Sequence, residues 1–274
     1  MTSYLKKLVS KIKFRLTKEG IEINRLRGLE RNTPTTTDLL GVQFHIVDPA
    51  SFIGQYFEII KNEIYLFSSA SNPPYIIDCG ANVGTSVYYF NKLYPDAKII
   101  AFEADKAVFG VLKKNISQMQ GNIEAVNKAV WDKNGVIDFF IDGSDAGSVL
   151  SGNSKGRKVS VETTGLRDYL NTRVNFLKID IEGAERQVLE NCADLLNNVD
   201  NIFIEYHSVW NKKQDLDVIL KILADNDFRF FIEQVNVFNK SPFVSKKRLE
   251  QYDNLLNIYA QKNAPPAAPG SNEA

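Results

Sequence analysis

Short apolar runs alternate with segments of helical periodicity from Tyr75 onward. The runs typical of strands lie at 75–79, 98–102, 123–126, 176–180, 201–206 and 228–233. Between them, segments 107–120 and 184–196 each place their apolar side chains on a single stripe. Alternation of this kind predicts an α/β fold in which helices cover a mainly parallel sheet.

Two further regions carry weaker patterns. Between the third and fourth strands, pieces 136–141 and 158–164 read as strands around the Gly/Ser-rich stretch 142–148, which predicts a hairpin with a flexible loop. Ahead of the main sheet, 42–47 reads as a strand. A helix is expected to follow it, with Ser51 as its N-cap, and to run through Ile60.

The two ends differ in composition from the body. Residues 1–31 carry nine basic and three acidic side chains, and their apolar residues repeat at helical spacing: Leu5, Leu8, Val9, Ile12 and Leu16. We therefore expect a basic amphipathic segment at 1–35, a single main domain at 36–262 and a disordered Pro/Ala/Gly-rich tail at 263–274. The N-terminal helix is interpreted as packing on its own domain or on a dimer partner, with attachment to anionic lipid as the alternative.

Composition excludes several classes. The 274 residues carry 33 basic and 33 acidic side chains, so no charge excess favours a general nucleic-acid binder. Cys79 and Cys192 stand far apart without metal-ligand spacing, which argues against a disulfide scaffold or a zinc site and for reduced core residues. Without a bilayer-spanning apolar run or a signal-peptide core, a cytoplasmic protein is expected, at most peripheral to the inner face of the membrane.

The most informative stretch runs from Tyr75 to Ser86, where an apolar strand enters a glycine-containing turn and then a helix. Gly80 permits a sharp turn and close approach of a ligand to the backbone, and the helix N-terminus attracts an anionic group. Glu103 follows the next strand about 20 residues on, where a carboxylate accepts hydrogen bonds from ribose hydroxyls. The two features together predict an adenosine-type ligand.

The spacing of the glycines in the turn distinguishes between two candidate ligands, a dinucleotide and S-adenosylmethionine. Dinucleotide enzymes use G-x-G-x-x-G, whereas here Gly80 and Gly84 enclose three other residues and Asp78 precedes them. A carboxylate beside a pyrophosphate is repulsive, but Asp78 can attract the ammonium of S-adenosylmethionine, directly or through water. Methyl transfer is therefore the leading prediction, and an NAD-type Rossmann oxidoreductase is the alternative.

Five separated motifs resemble those of the FkbM-type methyltransferases over roughly residues 40–260. The motifs span 78–84, 102–105, 127–130, 177–185 and 204–207. Ala104 departs from the family pattern, which usually has proline there. The resemblance implies a Rossmann-like class I methyltransferase fold, with a seven-stranded sheet of order 3-2-1-4-5-7-6 and an antiparallel last strand. It also implies S-adenosylmethionine as cofactor, S-adenosylhomocysteine as product and O-methylation of sugar or polyketide hydroxyls.

The resemblance further assigns cofactor contacts. The methionine end would lie against Gly80, Asn82, Gly84, Thr85 and Ser86. The ribose would bind Glu103, and the adenine would lie between Ala104 and Asp105 on one side and Lys128 and Ala129 on the other. Asp180 and Glu182 would sit at the end of the fourth strand, over the sulfonium; their structural alternative is an acidic pair at a helix N-terminus, which also suits Glu185.

Methylation of an alcohol needs a group that removes a proton. The chain has two histidines, and His207 ends the motif 204–207 whereas His45 lies outside the motifs. His207 is the leading candidate for the base or for a substrate hydrogen bond, Asp180 comes next, and Glu205 belongs to the same set; a purely structural His207 is the alternative. Asp180, Glu182, Glu205 and His207 could hold a divalent ion, but a hydrogen-bonded network is the favoured interpretation, so no metal is predicted.

One tetrapeptide matches a motif of DNA methyltransferases but lies at a different place in the chain. Residues 72–75 read Asn-Pro-Pro-Tyr, as in DNA adenine methyltransferases, but they directly precede the first strand instead of following the fourth. With a neutral net charge, we interpret them as a loop and predict no nucleic-acid substrate. The predicted acceptor is a hydroxyl group of a sugar, a glycan or a related small metabolite. A non-catalytic cofactor-binding scaffold is the alternative from another class, and a homo-oligomer is left open.

Overall fold

The structure is a computed structural model that describes residues 15–141, 147–148, 157–210, 212–235, 241, 243–244 and 252–262. Its α-helices are α1 (Lys18–Arg27), α2 (Pro49–Gln55), α3 (Thr85–Leu93), α4 (Lys106–Ile116), α5 (Glu185–Cys192) and α6 (Leu216–Asp225). A π-helical segment at Tyr56–Lys61 continues α2, and 3₁₀ turns occupy Leu166–Tyr169 and Ala193–Asn198.

Thirteen strands are described. They are β1 (Thr35–Thr37), β2 (Phe44–Ile46), β3 (Tyr75–Cys79), β4 (Lys98–Phe102), β5 (Asn122–Val126), β6 (Ala129–Trp131), β7 (Gly135–Ile141), β8 (Gly147–Ser148), β9 (Arg157–Gly165), β10 (Val174–Ile179), β11 (Val199–Val209), β12 (Phe228–Gln234) and β13 (Tyr252–Lys262).

Seven strands form the central sheet, in the order β12-β13-β11-β10-β3-β4-β5. The five strands from β11 to β5 are parallel, and β13 runs antiparallel to both β11 and β12. Counted along the chain within this sheet, the order is 3-2-1-4-5-7-6, as the resemblance implies. The apolar pattern alone missed β13, in which polar residues interrupt the alternation.

Apolar side chains cover both faces of the sheet. Ile77 faces a core shared with α5 and α6, whereas its neighbour Ile76 faces a core shared with α3 and α4, as the two-residue period of a strand requires. The predicted α/β class with helices on both faces is therefore confirmed. Cys79 and Cys192 are both buried and free, as expected.

The insert between β5 and β10 forms a second sheet, in the order β6-β9-β7-β8. The predicted pairing of 136–141 with 158–164 is confirmed, because β7 and β9 run antiparallel from Gly135 opposite Thr163 to Ile141 opposite Arg157. Most of the predicted Gly/Ser-rich loop lies outside the described residues.

The N-terminal segment is described from Arg15 onward. Thr17 caps α1 by accepting a hydrogen bond from the Gly20 N–H at 3.0 Å, and Ile23 and Leu26 of this helix are fully buried. The described helix thus packs on its own domain. Leu5, Leu8, Val9, Ile12 and the tail 263–274 lie outside the described residues. None of the described helices has the length and apolar character needed to cross a membrane.

The start of α2 corrects one prediction. Asp48, and not Ser51, is the N-cap: its side chain accepts the Ser51 N–H at 2.9 Å, and Pro49 occupies the first helical turn. Proline suits that turn because its missing N–H would have no partner there. The π-helical continuation Tyr56–Lys61 then carries Glu58 to the carboxyl end of the sheet, where the pocket lies.

Candidate cofactor and acceptor site

The turn after β3 adopts backbone conformations that favour glycine. Gly80 has φ +91°, Asn82 has φ +51° and Gly84 has φ +93°. A Cβ on Gly80 would lie 1.9 Å from the carbonyl oxygen of Asp180, so the turn packs directly against the end of β10. Only glycine permits this approach, which brings the ends of β3 and β10 together.

Glu103 holds the same turn from the end of β4. Its Oε2 accepts the Asn82 N–H at 3.0 Å, and its Oε1 accepts the Asp105 N–H at 2.7 Å. Burial raises the pKa of Glu103 to about 7, although these two backbone hydrogen bonds act in the opposite direction. An ionised carboxyl group has about four acceptor positions, so two remain for a ligand.

Lys178 lies under the turn, next to the carboxyl end of β10. Its Nζ donates to the carbonyl oxygen of Gly80 at 2.8 Å and lies 3.3 Å from Asp78 Oδ1 and 3.1 Å from Asp180 Oδ2. Burial disfavours the charged amine, but the two carboxylates outweigh this effect and raise the pKa of Lys178 well above its ordinary value. The carboxylate of Asp78 also accepts a 2.5 Å hydrogen bond from Ser86, so Asp78 is engaged within the protein.

A pocket of about 320 Å³ opens above this turn. Eight of the predicted residues line it: Gly80, Asn82, Ser86, Glu103, Ala104, Ala129, Asp180 and Glu205. Glu182 lines it as well. Six other predicted residues do not: Asp78, Gly84, Thr85, Asp105, Lys128 and His207.

The six residues outside the lining have other partners. The Thr85 hydroxyl donates to Gln55, Asp105 caps α4 through the Ala107 and Val108 N–H groups, and Lys128 pairs with Glu162. Gly84 caps α3 and contacts α4, where its Cβ would lie 2.8 Å from Leu112 Cδ1. Direct cofactor contact of these residues stays a prediction that this geometry does not support.

His207 lies behind the pocket wall, buried between glutamates. Its Nδ1 is 3.0 Å from Glu185 Oε1, and its Nε2 is 3.4 Å from Glu182 Oε2. Burial disfavours the imidazolium, but Glu182, Glu185 and Glu205 together raise the pKa of His207 well above its ordinary value. A protonated imidazole has no lone pair to accept a proton, so this position suits a donor that orients carboxylates and not the predicted base.

Two glutamates in front of His207 face the pocket. Burial and the neighbouring Asp180 raise the pKa of Glu205 to about 8, with His207 acting in the opposite direction. Glu182 has φ +58°, in the left-handed region, and its Oε2 accepts a 2.5 Å hydrogen bond from the Tyr252 hydroxyl. A strained backbone held by several partners is typical of functional positions.

The same edge contains a potential set of metal ligands. Ligand atoms of Asp180, Glu205 and His207 all lie within 4.8 Å of one another. Two cationic side chains already pair with the carboxylates of this set: Lys178 pairs with Asp180, and the His207 imidazole lies 4.0 Å from Glu205. The preference for a hydrogen-bonded network over a bound ion at this edge stays a prediction.

Sequence reasoning missed several residues of the site. Lys178 carried a signal, since a charged residue inside a doubly buried parallel strand must have partners. The residues contributed by α2 and the segment after it carried no motif: Ser51, Gly54, Gln55, Glu58, Ile59 and Tyr65. Tyr252 lies on the missed strand β13, so its contact with Glu182 was not predictable either.

Comparison with known proteins adds an independent line of support. The family described as "Methyltransferase FkbM domain" matches residues 78–230, more than half of the chain. Methyltransferase sdnD of Sordaria araneosa is 26% identical over 198 residues, which cover 58% of this chain and 76% of that protein. The 2-O-methyltransferase NoeI of Sinorhizobium fredii is 26% identical over 173 residues, 55% of this chain and 71% of that one.

Two further matches are more distant. Hexuronic acid methyltransferase AglP of Haloferax volcanii is 22% identical over 175 residues, covering 62% of this chain and 70% of that one. A crystal structure of Methyltransferase FkbM from Methylobacillus flagellatus KT superposes with a TM-score of 0.46 and 14% identity. The superposition covers 94% of this chain and 56% of that one.

The family match spans the glycine turn, Glu103, Lys178 and Glu205, and so covers the pocket residues that follow the start of the main sheet, whereas those contributed by α2 and the segment after it precede it. It favours methyl transfer over the dinucleotide-dependent alternative, in agreement with the resemblance seen in the sequence. The chain therefore belongs to the FkbM methyltransferase family.

Proposed function

We propose that this protein is an S-adenosylmethionine-dependent O-methyltransferase whose acceptor is a hydroxyl group of a sugar, a glycan or a related small metabolite. The observation that carries the proposal is a single pocket that joins two halves. The turn Gly80–Asn82 with Glu103 forms one half, and the carboxylates at the ends of β10 and β11 form the other. The names of NoeI, a 2-O-methyltransferase, and AglP, a hexuronic acid methyltransferase, support a carbohydrate acceptor.

The residues present fit the cofactor. Glu103 retains acceptor positions for the ribose hydroxyls. The side chains of Ala104 and Ala129 are small, so they leave room for an adenine between them. The backbone of Gly80 to Asn82 would hold the methionine end. When bound, S-adenosylmethionine would supply a methyl group on a positively charged sulfur. An acceptor oxygen would attack the carbon of this methyl group in line with the sulfur, and S-adenosylhomocysteine would leave.

The protein then has two tasks, alignment of the acceptor and removal of its proton. Glu205 faces the pocket, and burial raises its pKa to about 8, which makes it a stronger base than an ordinary carboxylate. We propose that the Glu205 carboxylate accepts the proton of the acceptor hydroxyl as the new C–O bond forms. Glu182, held by Tyr252 and His207, is the group placed to accept hydrogen bonds from neighbouring acceptor hydroxyls.

Isotope transfer tests the proposal. The protein is incubated with S-adenosylmethionine carrying a deuterated methyl group and with small-molecule extract, and products are identified by mass spectrometry. We expect label in a compound that survives alkaline hydrolysis, as a methyl ether does and a methyl ester does not. Tight binding of S-adenosylhomocysteine without any labelled product would instead support the non-catalytic scaffold.

A further inference from the structure

Negative charge dominates the pocket walls. The described lining side chains include five carboxyl groups, from Glu58, Glu103, Asp180, Glu182 and Glu205, and one ammonium group, from Lys178. Lys178 lies 3.1 Å from Asp180 and contacts the buried Asp78 as well, so its charge is already balanced within the protein. Among the other four carboxyl groups, Glu103 accepts two backbone hydrogen bonds, and Glu182 accepts the Tyr252 hydroxyl and lies beside His207.

Glu58 and Glu205 have the weakest compensation. Glu58 lies exposed at the pocket mouth, and no cation pairs with it among the described residues. The imidazole of His207 is the cationic partner of Glu205, and its Nε2 lies 4.0 Å away, at the limit of an ion pair, while closer contacts bind it to Glu185 and Glu182. These two carboxyl groups come from different elements of the pocket wall.

The cofactor does not balance the excess of carboxyl groups over cationic groups in the pocket lining. S-adenosylmethionine has one net positive charge, from a sulfonium, an ammonium and a carboxylate, against five lining carboxyl groups. Its adenosine half would bind at Glu103, which leaves Glu58 and Glu205 to the acceptor. The acceptor would therefore meet these carboxyl groups with the cofactor in place.

We propose that the pocket selects its acceptor by charge, and favours a hydroxyl compound that carries an ammonium group over the same skeleton without a charge or with a carboxylate. The proposal rests on the methyltransferase function proposed above and narrows its substrate class. It separates this chain from AglP, whose name states an acidic acceptor.

The titration behaviour of the site agrees with this choice. Although Glu58 keeps contact with solvent at the pocket mouth, desolvation on its pocket side and then the negative charge of Asp180 raise its pKa, and the same two causes raise the pKa of Glu205 to about 8. A bound ammonium would favour their ionised forms. Binding of a cationic acceptor near neutral pH is therefore expected to release protons from the protein.

A divalent ion is the other cation that could balance these charges. It would have to displace Lys178 from Asp180 and take the place of a proton on His207, whose Nδ1 faces Glu185 and whose Nε2 faces Glu182. An organic ammonium needs neither change, because it can approach Glu58 and Glu205 from the open side. The geometry therefore favours the ammonium, and added metal serves as a comparison in the test.

The test uses three matched probes with the protein saturated by S-adenosylhomocysteine: methyl 2-amino-2-deoxyglucoside, methyl glucoside and methyl glucuronide. Calorimetry in two buffers of different ionisation enthalpy, with EDTA or with Mg²⁺, measures affinity and proton release together. We expect the amino sugar to bind at least about tenfold more tightly than the glucuronide, with proton release. Glu58→Gln should reduce this preference, whereas Glu190→Gln, on the exposed surface of α5, should leave it unchanged.

Equal or tighter binding of the glucuronide, or no detectable binding of the amino sugar, would overturn the proposal. So would a preference that appears only with Mg²⁺, since the metal would then supply the positive charge. The proposed function fails separately: selective binding of the amino sugar without methyl transfer to any acceptor contradicts the function, and efficient methylation of the glucuronide contradicts only the charge selection.

Discussion

At the scale of single residues, the site depends on carboxyl groups whose roles differ with their surroundings. Glu103 accepts two backbone hydrogen bonds and supports the turn, whereas Glu205 faces the pocket and has no such donor in the described part of the chain. The ordinary pKa of both is 4.5, and burial raises it in both. Their different neighbours suit Glu103 to the proposed binding of the ribose and Glu205 to the proposed role of base.

Replacement of Glu103 by alanine should weaken cofactor binding. The loss of hydrogen bonds from the ribose hydroxyls to a charged group is expected to cost about 1.5–3 kcal/mol. Calorimetric titration with S-adenosylhomocysteine measures the change, and Glu124→Ala, at an exposed position of β5, is the matched control. Unchanged affinity in Glu103→Ala would remove this residue from the cofactor site.

Replacement of Glu205 by glutamine should remove the base. Because only the carboxylate accepts the acceptor proton, kcat/KM of the parent should rise with pH and level off above a pH of about 8. In Glu205→Gln, kcat should fall by about a hundredfold or more, and the rise should disappear. Rate measurements across this pH range with a fixed acceptor provide the check.

His207→Gln is the comparison for that experiment. If His207 only orients Glu182 and Glu185, the variant should keep the dependence on pH and lose part of the rate. Loss of the pH dependence in His207→Gln, together with its survival in Glu205→Gln, would return the base to His207.

At the scale of elements, glycines decide how closely the helices approach the turn. The resemblance places Gly84 against the methionine end of the cofactor, but the structure shows another need for glycine here: α4 crosses at this point, and Leu112 occupies the space that a Cβ would need. Gly110 in α4 has open space around it and belongs to an ordinary helix. Gly84 and Gly110 can therefore be compared as a crowded and an uncrowded glycine.

Gly84→Val should destabilise the fold, because it forces a branched residue into a left-handed conformation and against Leu112. We expect a loss of roughly 2–4 kcal/mol from backbone strain and overpacking. Gly110→Ala should instead stabilise the protein by about 0.5–1 kcal/mol through a better helix propensity. Urea unfolding of both variants measures the difference, and equal stability of Gly84→Val and the parent would refute the packing argument.

At the scale of the whole molecule, the buried titratable cluster links stability to pH. The folded-state pKa values of Glu103 and Glu205 are raised to about 7 and about 8, and that of His207 is also raised. All three groups bind protons more tightly when folded. Their contributions therefore have the same sign, and each is lost as the pH rises through the folded pKa.

Thermal stability should consequently fall between about pH 6 and pH 9, by on the order of 2 kcal/mol in free energy of unfolding. Melting temperatures across this range in one mixed buffer provide the measurement. Glu205→Gln removes one of the three groups and should flatten the decline. A stability that rises over the same interval would mean that these groups are not raised in the folded state.

Sequence alone determined the fold class and most of the cofactor half of the site. Strands β3 and β4 are largely buried on both faces, so their apolar runs stand out. The glycine turn follows β3, and Glu103 follows β4. These features are local in the chain, and local order is what a sequence pattern records.

Only the tertiary structure decided the acceptor half. Glu58 reaches the pocket because a π-helical turn extends α2 over the sheet, and Tyr252 reaches Glu182 from a strand 70 positions along the chain. Likewise, His207 has the spacing of a catalytic residue. Its burial disfavours the imidazolium, but Glu182 and Glu185 on either side raise its pKa well above the ordinary value. Burial and charge pairing depend on which distant residues meet, and no local pattern contains that information.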